Sequence, residues 1–415
     1  MRIVMVAPQV GDAFGQERIL SQSCRLLTES GCTVSVIADR QVGQSPAGAD
    51  VRLIPGLSSF HNLSSPVVVR RAVRAFRKAL EEFGPDVVHW HDCFDPRFVE
   101  AAAPLPSVLT AHTVAPSCPS SARLIPGASH CEKKSGWKCL ASNREYGCLS
   151  FLKSDLHRAH AVLNYLQRRR ALETQLKYVL SISDYVTQTL VRDGWPERML
   201  VSVPNPVMVP PASPIDVPKP LFVFAARLTP LKGLRDLLHA LRLLRHRPWS
   251  LWVCGEGHER ENLEQLCHTL ELDTRVRFLG RTSPERTARI LASATALVAP
   301  NQGPETFGLS VAEACAYGVP VVAYDVPALN ELIRDGKTGQ TVRLGDRAAM
   351  ARALSRVLDH PEQASEMARA AQKQVQEKHS AEAHLRALLK VYSLAVGDRV
   401  TVPALGAPEE ALSAP

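Results

Sequence analysis

Short apolar runs rich in Val, Ile and Leu recur along the chain, each closed by polar residues and separated by stretches whose apolar positions repeat every three to four residues. The runs read as buried strands and the longer stretches as amphipathic helices. The first run, residues 3–6, is cut short by Pro8; a helix from about residue 16 to residue 31 and a strand at 34–38 follow. Residues 86–91, 107–112 and 178–183 have the composition of strands buried on both faces, each ending in polar side chains. Prolines at 204, 206, 210, 211, 214, 218 and 220 exclude a helix or central strand there, so this stretch is expected to be a connector. The alternation restarts at 221–225, 250–254, 276–279, 296–299 and 320–323. The predicted class is therefore α/β, with two facing Rossmann-like doubly wound domains and a cleft between them. The expected limits are 1–204 for the first domain, with an insert at 114–150, and 205–219 for the linker. The second domain is expected at 220–380, followed by a helix at 381–398 and a loose tail at 399–415.

Length agrees with two cores: 415 residues is more than one hydrophobic core commonly serves. With 45% hydrophobic and 22% charged residues the chain has a globular composition, and no apolar run approaches the ~20 residues of a spanning helix. The ten cysteines come without a secretory signal, which makes a reducing cytoplasm the expected compartment. Lys and Arg, 49, exceed Asp and Glu, 41, by 8. That excess fits anionic substrates or an anionic membrane face and is too dispersed for a nucleic-acid binder.

The densest chemical signal is the segment from Pro304 to Ala314, where Glu305 sits in a loop after a strand and Glu313 lies within the following helix. The backbone N–H groups of Phe307, Gly308 and Leu309 then fall at a helix N-terminus, where unsatisfied donors and the dipole favour a phosphate. Glu305 is placed to accept sugar hydroxyls and Glu313 to grip a ribose diol. Arg227 and Lys232 follow the strand at 221–225, positioned to hold a diphosphate without a metal. Gly255, after the next strand, lies in a glycine turn near the nucleotide, and Arg281 is a candidate for the base site.

These residues resemble the retaining glycosyltransferases of the GT-B fold, family 4, whose C-terminal domain carries a Glu-x7-Glu pattern. Arg227, Lys232, Glu305, Phe307-Gly308, Glu313 and the segment 316–323 stand in family order and spacing. Gly15 falls in the family's glycine loop, with Phe14-Gly15-Gln16-Glu17 where paired glycines are usual, and Pro327-Ala328 stands where two glycines are common. The resemblance covers roughly residues 1–380. It implies that His112, at a strand end, faces the donor sugar, and that the chemistry is a front-face substitution with no carboxylate acting as covalent nucleophile. Without the family, His89, His91 and His112 read as packed core histidines. A dinucleotide-dehydrogenase reading, prompted by Asp39 at the second strand, fails because Gly11-x-x-x-Gly15 is not the glycine fingerprint.

Cys118, Cys131, Cys139 and Cys148 cluster in the insert, at spacings of 13, 8 and 9 positions that lack a Cys-x2-Cys knuckle. A structural metal, two disulfides and free thiols all stay open, with packing around free thiols the favoured reading. The helix expected at 66–83 puts Val69, Val73, Phe76 and Leu80 on one face and Arg70, Arg71, Arg74, Arg77 and Lys78 largely on the other. A solvated face or contact with anionic lipid would account for it.

The expected function is a metal-independent, retaining hexosyl transfer from a UDP- or GDP-sugar to a glycan or lipid-linked acceptor in surface polysaccharide assembly. The expected catalytic groups are Glu305, His112, Arg227 and Lys232, no cofactor is required, and the location is cytoplasmic, peripheral to the membrane's inner face. The alternatives are a GT-B-like epimerase or phosphorylase, and a nucleotide-sugar-binding protein without turnover.

Overall fold

The computed structural model describes residues 1–11, 15–57, 66–92, 95–120, 123, 131–150, 152 and 154–397. Two all-parallel sheets carry the chain. The first contains β1 (Arg2–Gly11), β2 (Thr33–Val42), β3 (Asp50–Leu53), β4 (Val87–His91), β5 (Ser107–Ala111), β6 (Leu176–Ser181) and β7 (Leu200–Ser202), in the order β3-β2-β1-β4-β5-β6-β7. The second contains β8 (Leu221–Ala225), β9 (Ser250–Cys254), β10 (Val276–Gly280), β11 (Ala296–Ala299), β12 (Val321–Tyr324) and β13 (Gln340–Val342), in the order β10-β9-β8-β11-β12-β13. Each order reverses at one point, between β1 and β4 and between β8 and β11. A crevice opens at such a reversal, outside the carboxyl ends of the strands.

The first strand is longer than its apolar run. β1 pairs with β2 as far as Gly11↔Val42, but with β4 only as far as Val6↔Trp90. Beyond Val6 it has, among the described residues, a paired neighbour on one side alone, where a residue lacking an N–H is tolerated, and Pro8 does not end it. The short strands β3, β7 and β13 lie at sheet edges or ends, and their three or four residues were too few to stand out as apolar runs. Asp39 is engaged by the fold: its Oδ1 accepts the N–H of Gly56 at 2.5 Å.

Helices close where their sequences provide caps. Ser183 caps α6 (Asp184–Asp193) by accepting the N–H of Val186 at 3.2 Å, and Gly194, in a left-handed conformation, ends it. Helix α2 (Pro66–Phe83) buries Val69, Phe76 and Leu80, and Phe76 meets Phe98 edge-on at 5.5 Å between ring centroids. Its five cations, Arg70 to Lys78, are exposed.

Residues 203–218 contain neither helix nor strand. After the second sheet come α12 (Arg347–Asp359), α13 (Pro361–Lys378) and α14 (Ala381–Val396). The last of these crosses back to the first sheet, where Leu388, Val391 and Tyr392 join a core with Met5, Val36 and Leu180. The Tyr392 hydroxyl is 2.6 Å from His89 Nδ1, so the chain end ties the first domain to the second. The expected tail lies outside the described residues from 398 onward, and no described helix is long and apolar enough to cross a membrane.

Within the insert, a short turn at Ala115–Ser117 and helix α4 (Lys138–Tyr146) provide more order than its Pro, Gly and Ser content predicts. Arg123 supplies the reason. Fully buried, it donates to the carbonyls of Ser117, Cys131 and Lys133 and to Asp193 Oδ1 at the end of α6. The four insert cysteines form no disulfide.

Candidate active site

The carboxyl ends of both sheets face a cleft of about 640 Å³. All eleven residues singled out from the sequence line it: Gly15 and His112 from the first domain, and Arg227, Lys232, Gly255, Arg281, Glu305, Phe307, Gly308, Leu309 and Glu313 from the second. Arg227 and Lys232 follow β8 and Glu305 follows β11, the two strands flanking the reversal in the second sheet. Strand order therefore gathers cations and a carboxylate that lie far apart in sequence.

Two glycines set the local geometry. Gly233, at φ 72°, lies so close to the Pro300 carbonyl that a Cβ there would be 1.7 Å from its oxygen. Only glycine lets the turn after β8 rest on the loop after β11, and that contact brings Lys232 to Glu305. The Lys232 ammonium donates to Glu305 Oε1, which also takes the Asn301 amide at 2.5 Å. Gly308, at φ 90°, caps the start of α10 (Leu309–Ala316), and a Cβ on it would be 2.3 Å from Leu329 Cδ2. The N-terminus of α10 thus opens onto the cleft beside the Lys232–Glu305 pair.

Glu313 lies inside α10, buried, where loss of water raises its pKa; the nearby Arg18 guanidinium acts in the opposite direction. Arg18 belongs to α1 (Gly15–Glu29) in the first domain, and its Nη2 is 2.5 Å from Glu313 Oε1. Opposite, the Nε2 of His112 lies 2.8 Å from Nδ1 of His91, and the two rings stack at 5.1 Å. Burial, and then the charge of His384, lower the His112 pKa to about 3, so the ring is neutral near pH 7. His89 is held between Tyr392 and the Thr110 hydroxyl.

Residues 14–209 match the model of Glycosyltransferase Family 4, and residues 209–374 match that of the Glycosyl transferases group 1. The chain is a family 4 glycosyltransferase of the GT-B fold. Among its relatives, the glycogen synthase of Mycobacterium tuberculosis is 28% identical over 348 residues, which cover 79% of this chain and 73% of the relative. In fold, the glycosyltransferase resembles one from Rickettsia africae, with a TM-score of 0.70 and 17% identity over 95% of this chain and 98% of the other. It also resembles Anabaena Alr3699/HepE, solved with UDP and glucose, with a TM-score of 0.66 and 16% identity over 94% and 99% of the two chains.

Asn301 and Arg18 also line this glycosyltransferase's cleft and escaped the sequence reading. Asn301 stands two positions after β11, at a strand end where ligand groups are expected, and that placement was a usable signal. Arg18 gave none: its partner is 295 positions away, and nothing in a helical Arg announces a contact across two domains.

Proposed function

We propose that this glycosyltransferase moves a hexosyl unit from a UDP- or GDP-sugar to a glycan or lipid-linked acceptor, with retention of configuration, in surface polysaccharide assembly. The supporting observation is the convergence of Arg227, Lys232 and the N-terminus of α10 on one cleft wall, with Glu305 beside them. In this reading the two cations and the helix dipole balance the charge that develops on the departing diphosphate, an effect commonly contributing several kcal/mol to the barrier. They fill the place of a divalent ion, so the reaction is proposed to run without one. Glu305 has Oε1 engaged by Lys232 and Asn301, while Oε2 has no hydrogen bond among the described residues and is offered to a sugar hydroxyl. Glu313 grips the ribose, and neutral His112 faces the sugar from the opposite domain. The UDP and glucose held by Alr3699/HepE are in keeping with this choice of donor.

The test is nucleotide release from a panel of UDP- and GDP-hexoses, with and without EDTA, followed by NMR of the product's anomeric carbon. Retained configuration and EDTA resistance are expected. Inversion, or activity that returns only with Mn²⁺ or Mg²⁺, refutes the corresponding part, and nucleotide binding without turnover supports the non-catalytic alternative.

Helix α2 supports a lipid-linked acceptor. Arg70, Arg71, Arg74 and Arg77 are exposed and form no ion pair among the described residues, and Val67 and Val68 are exposed at the helix start. That combination matches an anionic bilayer surface. Sedimentation with anionic but not neutral vesicles, lost in a variant with the four arginines changed to Gln, is the expected result; equal sedimentation of the two proteins refutes it.

A further inference from the structure

We propose that Arg18 is a positioning residue of the donor site, supplied by the opposite domain: it holds the Glu313 carboxylate from across the cleft, so that a nucleotide's ribose is gripped at full strength only while the two domains are closed on it. This rests on the reading of Glu313 as the ribose ligand.

The geometry is specific to the seam between the domains. Arg18 lies in the first turn of α1 and Glu313 in the second turn of α10, and both line the cleft. The two helix starts approach each other closely enough that a Cβ on Gly15 would be 3.5 Å from Leu309 Cδ2. That is ordinary van der Waals contact, so the start of α1 lies against the start of α10 and Arg18 reaches into the second domain. There its Nη2 takes Glu313 Oε1 at 2.5 Å, while Oε2 has no hydrogen bond among the described residues. One carboxylate oxygen is thus tied to the first domain and the other is open to a hydroxyl.

The electrostatics make this contact more than a tether. Burial works against the ionised form of Glu313, and Arg18 is the group that opposes burial. Among the described residues the other titratable group facing it is Tyr317, on the turn that ends α10, whose hydroxyl donates to the Pro210 carbonyl at 2.7 Å. An ionised carboxylate only accepts and can take both hydroxyls of a diol, whereas a protonated carboxyl turns one oxygen into an O–H donor and keeps less acceptor capacity. Removing Arg18 should therefore leave a ribose site that weakens as pH falls, because the folded-state pKa of Glu313 moves up towards the working range.

The experiment is calorimetry with UDP and GDP, from pH 6 to 8.5, on the wild type and on Arg18→Met, Arg18→Lys and Glu313→Gln. For the nucleotide that the wild type binds, Arg18→Met is expected to lose about tenfold in affinity at pH 6 and less than about threefold at pH 8.5, with Lys restoring most of it. A purely structural role for Arg18 would give a loss independent of pH, so a pH-independent loss overturns the inference. Affinity within twofold of wild type at every pH also overturns it. If Glu313→Gln weakens binding while Arg18→Met does not, the inference alone fails. If Glu313→Gln binds as the wild type does, the ribose assignment fails and the inference with it.

Discussion

The carboxylate of Glu331, in the second domain, accepts the backbone N–H of Tyr185, in the first, at 2.8 Å, and that of Asp184 at 2.9 Å. It stands at the N-terminus of α6 beside that helix's own Ser183 cap, so one domain supplies part of the other's helix cap. A cap of this kind contributes ~1 kcal/mol, and here it exists only with the domains together. Glu331→Ala is therefore expected to favour the open form and raise the donor KM by about threefold to tenfold with little loss of Tm. Glu331→Gln, whose amide oxygen still accepts, should recover part of it. A donor KM unchanged in the Ala variant removes the coupling.

Lys232 and Glu305 share one hydrogen bond, which ties the proposed diphosphate clamp to the proposed sugar ligand. Lys232→Ala should lower kcat about tenfold or more, because the lost charge acts where the leaving group becomes anionic. Thermal melting checks that the fold is intact. Turnover within twofold of wild type in a folded variant would discard the clamp.

Much of this was legible in the chain, for a definite reason. Leu221–Ala225 and Ala296–Ala299 are uninterrupted apolar runs, Ser250–Cys254 is apolar after its first residue, and their limits match the strands observed. The second domain's share of the candidate site lies in the short loops after such strands, so finding the strand ends finds Lys232 and Glu305. What stayed hidden are contacts made by distant residues: Arg18 with Glu313, Glu331 with Tyr185, Arg123 with Asp193. Arg18, Glu331, Arg123 and Asp193 each read locally as an ordinary solvated charge, and only the closing of one domain on the other, or of the insert on α6, gives these side chains their partners.

His89, His91, His112 and His384 are buried, and burial lowers the pKa of all four, to about 3 for His112 and about 4 for His384. Because the folded values are depressed, the stability linked to these rings is fully present above the unfolded value near 6.5 and is lost as pH falls below it. At pH 5 a single imidazole costs ~2 kcal/mol relative to pH 7 by this linkage. His384 bonds Ser23 and the Pro204 carbonyl, both at 2.8 Å, and His384→Gln should flatten the fall in stability between pH 7 and pH 5. Denaturation at both pH values measures it. Equal falls in the two proteins contradict the linkage.

Arg123 and Asp193 decide what holds the cysteine-containing insert. Besides Arg123, Asp193 accepts from the Tyr165 hydroxyl at 2.7 Å, Arg169 at 2.6 Å and the Ser135 N–H at 2.9 Å, and its side chain is wholly buried. Removing the carboxylate leaves the Arg123 charge buried without its partner, a loss of about 3–5 kcal/mol. Asp193→Ala is therefore expected to lower stability by about that amount and to expose residues 131–150 to protease, with Asp193→Asn as the milder version should the Ala variant fail to fold. Cys118 is buried and Cys131, Cys139 and Cys148 are half-buried as separate thiols, so changing all four to Ser should cost far less than losing the one carboxylate. Elemental analysis of the purified protein accompanies the comparison. A quadruple Ser variant that unfolds while Asp193→Asn stays stable, or near-stoichiometric zinc lost with the thiols, would transfer the staple from the ion pair to the cysteines.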